Sequence, residues 1–148
     1  MTLSAFIDTN VPFYATGTAH PLKAPCAEII LLIDEFPDTF ITDAEVLQEI
    51  LHRYLAIRRW AEGKAMFTQF ANLMRDRVEP ILGQDVELEG NLVDEVPNAG
   101  ARDLIHLAVM RRLGVTRIVS ADRGFDGVKG IERLDPMRIE EWRASVTA

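Results

Sequence analysis

The amino-acid sequence predicts a single α/β domain, a three-layer α/β/α sandwich built on a mostly parallel sheet. Two observations support this prediction. Short β-type runs alternate with helical patterns along the chain, an order typical of right-handed strand–helix–strand units. The chain has 148 residues, 48% of them apolar, and no internal repeat or linker divides residues 1–148. One domain with one buried core is therefore expected.

The amino-terminal part begins with a short strand, predicted over residues 3–7. Pro12 suits the first turn of the helix that follows, because its missing N–H would have had no partner there. The next helix is predicted over residues 21–35 and is stopped by Pro37. A second short strand covers residues 39–42.

The third helix is predicted to begin with a capping box formed by Thr42 and Glu45. The Thr42 hydroxyl would accept from the backbone N–H three residues on, while Glu45 reaches back to the N–H of Thr42. The apolar residues of this helix, spaced for one buried face, are Val46, Leu47, Ile50, Leu51, Tyr54 and Leu55. A helix over residues 64–75 and a strand over residues 77–82 follow.

The carboxyl-terminal part continues the alternation. The remaining elements are helices over residues 85–96 and 99–113, strands over residues 115–120 and 131–134, and a C-terminal helix. Pro97 separates the first two helices, and Gly114 is the residue type preferred just after a helix end. Residues 115–120 form the strongest predicted strand because they are rich in β-branched side chains. Asp135 and Pro136 are expected to cap the last helix.

The formal net charge of -7 argues against a protein that holds nucleic acid by phosphate neutralisation alone. The excess is local, because residues 79–101 carry six acidic residues and no Lys or Arg. The rest of the chain is close to neutral and contains two groups of basic residues. A basic strip beside an acidic pocket is therefore compatible with the sequence, as are ordinary solvated helix faces.

The single Cys26 excludes an internal disulfide and a thiolate zinc site. The first residues lack a basic signal-peptide region, and the longest aliphatic run, residues 29–33, is far shorter than the roughly 20 residues that span a bilayer. We therefore expect a soluble, cytoplasmic protein without a membrane partner.

Four acidic residues are expected at the carboxyl edge of the sheet, where α/β proteins bind ligands. Asp8 follows the first strand, and Asp122 follows the strand over residues 115–120. Asp103 lies near the start of a helix that runs antiparallel to that strand, so it points to the same edge. Glu49 joins them if its helix is tilted towards the group.

Each acid also has a structural interpretation. Asp8 could cap the first helix, Asp122 could initiate a turn, and Asp103 could complement a helix dipole for about 0.3–1 kcal/mol. Glu49 could pair with Arg53 one turn later. In combination, however, crowded carboxylates repel one another and require a cation. Oxygen ligands of this kind suit Mg²⁺ or Mn²⁺, which can activate water for phosphodiester hydrolysis.

Five short motifs carry a family resemblance that spans nearly the whole chain. They are FIDTN at 6–10, VLQEI at 46–50, ARDLIHLA at 101–108, IVSADRGFD at 118–126 and GIERLDP at 130–136. In order and spacing, the sequence resembles the PIN-domain ribonucleases that act as toxins in VapBC-type toxin–antitoxin pairs. The resemblance implies metal-dependent endonucleolytic cleavage of RNA, a small antitoxin partner whose tail blocks the site, and a homodimer.

The resemblance also assigns roles to individual residues. It makes Asp8, Glu49, Asp103 and Asp122 an acidic quartet around Mg²⁺ or Mn²⁺. Asp8 and Asp103 would bind the metal directly, and Asp122 would bind it directly or through water. Glu49 would orient or deprotonate the attacking water. Asn10 and Ser120 are similar to polar residues that the family places beside the carboxylates.

One position departs from the family pattern. Gly124 stands where many relatives carry a further acid, and Asp126 is expected to substitute for it. His106 is interpreted as a partly buried helix residue with a local hydrogen bond, and not as a general base.

Two other functions remain open. A haloacid-dehalogenase-like phosphatase would use Asp8 as a covalent nucleophile, although that family wants an Asp where this chain has Asn10. A non-catalytic PIN-like binding protein would keep the fold without turnover.

Overall fold

A computed structural model describes residues 5–147 and contains a five-stranded sheet in the order β3-β2-β1-β4-β5, with every neighbouring pair parallel. The strands are β1 (Ala5–Ile7), β2 (Phe40–Asp43), β3 (Val78–Glu79), β4 (Arg117–Val119) and β5 (Glu132–Leu134). Helices flank this sheet, so the predicted three-layer α/β/α sandwich is confirmed. The first two residues of the predicted strand 3–7 lie outside the described residues.

Seven helices are observed in the described part of the chain. They are α1 (Asn10–Thr16), α2 (Lys23–Glu35), α3 (Ala44–Ala56), α4 (Trp60–Leu73), α5 (Gly83–Glu95), α6 (Ala101–Leu113) and α7 (Ile139–Thr147). Most ends agree with the sequence to within two residues. The exceptions are the start of α4, which is four residues earlier than predicted, and the start of α7, which follows a short 3₁₀ turn at Pro136–Arg138.

The residues that α4 adds before its predicted start include Gly63, where the helix closely approaches α3. Gly63 lies inside α4, and a Cβ atom at this position would be only 2.2 Å from Cγ of Tyr54 on α3. The glycine therefore lets the Tyr54 ring pack directly against the α4 backbone. Its usual cost inside a helix, about 1 kcal/mol, is offset by this packing.

The predicted capping box at Thr42 is wrong. Asp43 is the N-cap of α3, and its Oδ1 accepts a hydrogen bond from the N–H of Val46 at 3.0 Å. The Thr42 hydroxyl instead donates to the carbonyl oxygen of Ile7 on the neighbouring strand at 2.9 Å. Because Thr42 is a buried member of β2, its side chain is used in the sheet and the helix begins one residue later.

The centre of the core is formed by α6, in which the seven consecutive residues 104–110 are all buried. This helix ends at Gly114, which has a positive φ of 71°, as the sequence predicts. Cys26 is also buried in the core. Within residues 5–147, no helix is long and apolar enough to cross a membrane.

Candidate active site

Asp8 follows β1 and is buried at the carboxyl edge of the sheet. Its Oδ1 accepts a hydrogen bond from the backbone N–H of Thr9 at 2.8 Å. Its Oδ2 accepts from the Ser120 hydroxyl at 2.6 Å and from the Asn10 side-chain amide at 3.1 Å. Burial raises the pKa of the Asp8 carboxyl, whereas the charge of His106 and the Ser120 hydrogen bond lower it.

Ser120 connects Asp8 to the segment that carries Asp122. Its Oγ accepts hydrogen bonds from the Asn10 amide at 3.1 Å and from the backbone N–H of Asp122 at 3.0 Å. The side-chain Oδ1 of Asn10 in turn accepts from the backbone N–H of Ala121 at 3.1 Å. The start of α1 and the segment after β4 therefore form one hydrogen-bonded unit.

Asp122 has the turn-forming role that its sequence position suggests. Its Oδ1 accepts from the N–H of Gly124 at 2.8 Å and so opens the 3₁₀ turn Arg123–Gly127. A Cβ atom at position 124 would lie 3.1 Å from this same oxygen. A glycine there leaves the Asp122 carboxylate uncrowded, which fits a carboxylate that also faces a ligand.

Asp103 lies in the first turn of α6, as predicted. Burial, together with the negative charges of Asp8 and Asp122, raises the pKa of Asp103 to about 6. The charge of Glu49 acts in the same direction. This mutual effect indicates that acids from distant parts of the chain occupy one region of the protein.

Glu49 on α3 completes the group. One of its oxygens, one oxygen of Asp8 and one ring nitrogen of His106 all lie within 4.8 Å of one another. The alternative pairing of Glu49 with Arg53 does not occur, because Arg53 packs over the ring of Phe13 at 4.8 Å. Glu49 instead lies 3.6 Å from the Nη1 of Arg102 on α6.

His106 occupies a different environment from the one predicted. Its side chain is only 1% exposed, and its Nδ1 lies 2.7 Å from the Oδ2 of Asp43, which is fully buried. Its Nε2 faces Asp8, 4.0 Å from Oδ1. Burial alone would lower the pKa of His106, but the hydrogen bond and charge of Asp43, together with the charges of Asp8 and Glu49, raise it to about 9.

Asp43 is the residue of this region that sequence reasoning missed. It stands at the carboxyl end of β2 and therefore obeys the edge rule that identified Asp8 and Asp122. Its Oδ1 caps α3 and its Oδ2 holds His106, so both oxygens are used. The position of Asp43 after a predicted strand was the available signal.

The suggestion that Asp126 replaces the acid absent at Gly124 is not supported by its position. The Asp126 side chain is 54% exposed, and both of its oxygens pair with Arg133, at 2.7 Å and 3.2 Å. Arg133 also donates to the carbonyl oxygen of Ser120 at 3.0 Å. Asp126 thus helps to fasten the turn that follows Asp122.

The chemistry of the acidic group fits a hard divalent cation. The carboxylates of Asp8, Glu49, Asp103 and Asp122 offer oxygen ligands, and the pKa of Asp103 is raised by burial and by the negative charges of its acidic neighbours. The Nδ1 of His106 is engaged by Asp43 at 2.7 Å, and the charges of Asp43, Asp8 and Glu49 outweigh burial and raise the pKa of His106 to about 9, which favours a counter-charge over a metal ligand. It is a buried counter-charge for Asp43 and Asp8.

A parallel α/β/α sandwich with acids at its carboxyl edge defines the class of this protein, and the family follows from its sequence. Residues 5–131 match the PIN domain, and the chain belongs to the PIN-domain family. Among curated proteins, it is 39% identical over 128 residues to ribonuclease VapC13 of Mycobacterium tuberculosis, covering 86% of this chain and 97% of the relative. It is 38% identical over 117 residues to ribonuclease VapC23 of Mycobacterium tuberculosis, covering 79% and 91%.

Solved structures with the same fold are also found. VapBC2 from Rickettsia felis, bound to a DNA fragment from its promoter, superposes with a TM-score of 0.69 over 90% of this chain and 100% of the other, at 14% identity. VapC20 of Mycobacterium tuberculosis, described as a toxin that cleaves the sarcin–ricin loop, gives a TM-score of 0.62 over 87% and 99%, at 16% identity. At these identities the likeness concerns the fold.

Proposed function

We propose that the protein is a Mg²⁺- or Mn²⁺-dependent endoribonuclease and the toxin of a type II toxin–antitoxin pair. The main support is the convergence of Asp8, Glu49, Asp103 and Asp122 at one sheet edge, in a chain 39% identical to a VapC ribonuclease. Acids brought so close together from four separate elements are unfavourable for folding alone, and they are useful when a cation binds between them.

Asp8, Asp103 and Asp122 are the proposed metal ligands. A bound divalent ion would lower the pKa of a water molecule and stabilise negative charge on a phosphoryl oxygen. Asn10 and Ser120 orient the Asp8 carboxylate through their hydrogen bonds to Oδ2. The ion would thereby meet a carboxylate that is already held in one orientation.

Glu49 is the proposed acceptor of the water proton. The water oxygen forms a bond to phosphorus while its proton passes to the Glu49 carboxylate, and the bond from phosphorus to the leaving oxygen breaks, after which that oxygen takes a proton from solvent. His106 keeps its proton throughout, because Asp43 and Asp8 stabilise its charge on both sides. Its role is to hold Asp8 and not to move a proton.

An open groove leads away from the acids and is suited to a flexible polyanion. It begins at Asn10 and Asp122 and continues past the stacked rings of Phe13 and Tyr54, whose centroids are 5.1 Å apart. Arg53 lies along the same groove. A guanidinium group along such a groove is a usual contact of single-stranded RNA.

The partners follow from the same proposal. A small antitoxin would block the acidic site, as suggested by the likeness to a VapBC structure. We also propose a homodimer, as implied by the family resemblance, and a cytoplasmic location, where an RNA-cleaving toxin meets its substrate.

The alternatives have less support. Both oxygens of Asp8 accept hydrogen bonds, and the PIN-domain match leaves no basis for a phosphatase that forms a phosphoaspartate on this residue. A binding protein without turnover differs from the proposed enzyme only in activity, so an RNA-cleavage assay distinguishes the two.

The test is RNA cleavage by the purified protein with Mg²⁺, with Mn²⁺ and with EDTA. We expect metal-dependent cleavage that is abolished by Asp8→Asn and retained by Asp94→Asn, an exposed acid on α5 that serves as the matched control. Cleavage that survives both chelation and Asp8→Asn would contradict the proposed site. Absence of cleavage by the folded wild type, over a range of RNA substrates, would favour the non-catalytic binding protein.

A further inference from the structure

Arg102 is a cation at the edge of the acidic group that the roles assigned so far do not use. It precedes Asp103 on α6, and its side chain is 41% exposed. Its Nη1 lies 3.6 Å from Oε1 of Glu49, and its Nε lies 3.7 Å from Oε1 of Glu45. Both distances are longer than a hydrogen bond, and no described residue accepts a hydrogen bond from this guanidinium.

Other arginines of the protein are held much more firmly. Arg112 donates to Asp85 at 2.9 Å, and Arg133 forms two hydrogen bonds with Asp126. A guanidinium has five N–H donors arranged to match carboxylate or phosphate oxygens. In Arg102 these donors are attracted by two carboxylates without being bonded to either, so an anion with better geometry can take them.

The side chains around Arg102 are acidic and would repel an anion if Arg102 were absent. Glu45 and Glu49 lie on the same face of α3, one turn apart, and Glu89 of α5 is close enough for the charge of Glu45 to raise its pKa further, in addition to the effect of burial. An RNA strand that continues beyond the acidic site on the Glu49 side brings its phosphates close to these carboxylates. A cation on this path offsets part of the repulsion.

We propose that Arg102 binds a backbone phosphate of the RNA beside the cleaved bond and leaves Glu45 and Glu49 when it does so. This inference rests on the proposed ribonuclease function and adds a substrate-binding residue to it. The exchange also frees the Glu49 carboxylate from its loose ion pair at the moment when substrate is bound. Arg102 would therefore couple the arrival of RNA to the availability of the proposed proton acceptor.

A purely structural role would have different consequences. Glu45 and Glu49 are like charges at i and i+4, an arrangement that destabilises a helix, and Arg102 could serve only to reduce their repulsion. Removing it would then lower the thermal stability without changing the affinity for RNA. The two roles are separated by measuring both quantities on the same variants.

The experiment measures binding of a short, fluorescently labelled single-stranded RNA of mixed sequence by anisotropy at several salt concentrations. Every protein carries Asp8→Asn, so that the RNA is not cleaved. Arg102→Gln is compared with Arg102→Lys and with Arg111→Gln. Arg111 is the matched control, because it lies on the same helix, is 39% exposed and pairs with Glu95 at 2.9 Å.

We expect Arg102→Gln to weaken RNA binding several-fold and to reduce the slope of log Kd against log salt by about 0.7, the contribution of one phosphate contact on a single strand. Arg102→Lys should restore the slope but only part of the affinity, because an ammonium cannot form two parallel hydrogen bonds. Arg111→Gln should leave the slope and the affinity unchanged. In the cleavage-competent background, Arg102→Gln should raise KM more than it lowers kcat.

Two results would overturn the inference, and they differ. If the Asp8→Asn protein binds RNA but Arg102→Gln matches Arg111→Gln in affinity and slope, Arg102 does not contact phosphate, whatever its effect on the melting temperature. If the folded Asp8→Asn protein binds no RNA at any salt concentration, the proposed ribonuclease function fails and this inference fails with it. If Arg102→Gln does not fold, the inference is decided by the RNA affinity of Arg102→Lys and by the KM of Arg102→Lys in the protein that keeps Asp8.

Discussion

Asp43 and His106 lie 63 residues apart in the chain, and their side chains meet at 2.7 Å in the interior of the protein. Each is almost completely buried, so the charges can persist only because they face one another. The imidazole also faces Asp8 across 4.0 Å. A buried ion pair is thus placed directly behind the first proposed metal ligand.

The role of this pair can be examined with Asp43→Asn. An asparagine keeps an oxygen that can cap α3 but removes the negative charge beside His106. We expect the pKa of His106 to fall from about 9 towards or below its ordinary value, and the free energy of unfolding to decrease by about 1–3 kcal/mol. Histidine NMR titration and urea denaturation measure the two effects. A His106 pKa that is unchanged in this variant would show that Asp43 is not its charge partner.

The same pair predicts how stability depends on pH. Because the pKa of His106 is higher in the folded protein than in the unfolded chain, the folded state holds the additional proton between about pH 6.5 and about pH 9. This contribution is therefore complete below about pH 6.5 and is lost as the pH rises through about 9. In EDTA, the difference in melting temperature between the wild type and Asp43→Asn should shrink over this interval. A difference that grows with pH would contradict the assignment.

A second pH-linked group is Asp103, whose pKa is raised to about 6 by burial and by its acidic neighbours. Its charged form is unfavourable in the metal-free protein, so stability is lost as the pH rises from about 4 to about 6. At pH 7, Asp103→Asn should therefore raise the melting temperature in EDTA. The same change should reduce the rise that Mg²⁺ or Mn²⁺ produces, which follows RT ln(1 + [L]/Kd).

Asp94→Asn is the control for this measurement, because Asp94 is an exposed acid of the same charge on α5. It should leave the metal-induced rise in melting temperature as large as in the wild type. An equally large rise in Asp103→Asn would remove Asp103 from the proposed ligands.

The packing of α4 on α3 is tested by a pair of glycine substitutions. Gly63→Ala would place a Cβ atom against the Tyr54 ring, at 2.2 Å in the present arrangement, so we expect a loss of about 1–3 kcal/mol. Gly90→Ala on α5 meets no atom within 4 Å and should raise stability by about 0.5–1 kcal/mol, as expected for an exposed helix position. Chemical denaturation compares the two. Equal effects would mean that the approach of the helices at Gly63 is not tight.

The sequence predicted the sheet and the placement of Asp8 and Asp122, because strand ends and their edge in a parallel sheet follow from hydrophobic pattern and topology. It did not predict that Asp43 caps α3 and pairs with His106. A capping box at Thr42 is a local explanation for the start of α3, and it left no reason to examine the next residue. The hydrogen bond from Thr42 to Ile7 that excludes this box joins different strands.

The partners of charged side chains were predicted less well, because these contacts also join residues that are distant in the sequence. Spacing along a helix suggested Arg53 for Glu49, whereas the observed neighbour, Arg102, comes from another helix. Likewise, Asp126 is close in sequence to Asp122, but Arg133 of β5 captures both of its oxygens. Long charged side chains take the partner that tertiary packing provides, and a single sequence does not contain that information.

The sheet order has a consequence for synthesis of the protein. β1 lies between β2 and β4, and the hydroxyl that donates to Asp8 comes from Ser120, which follows β4 late in the chain. A growing chain on the ribosome therefore cannot complete the acidic centre until four-fifths of its residues have emerged. The proposed ribonuclease therefore acquires its complete acidic centre only late in its own synthesis.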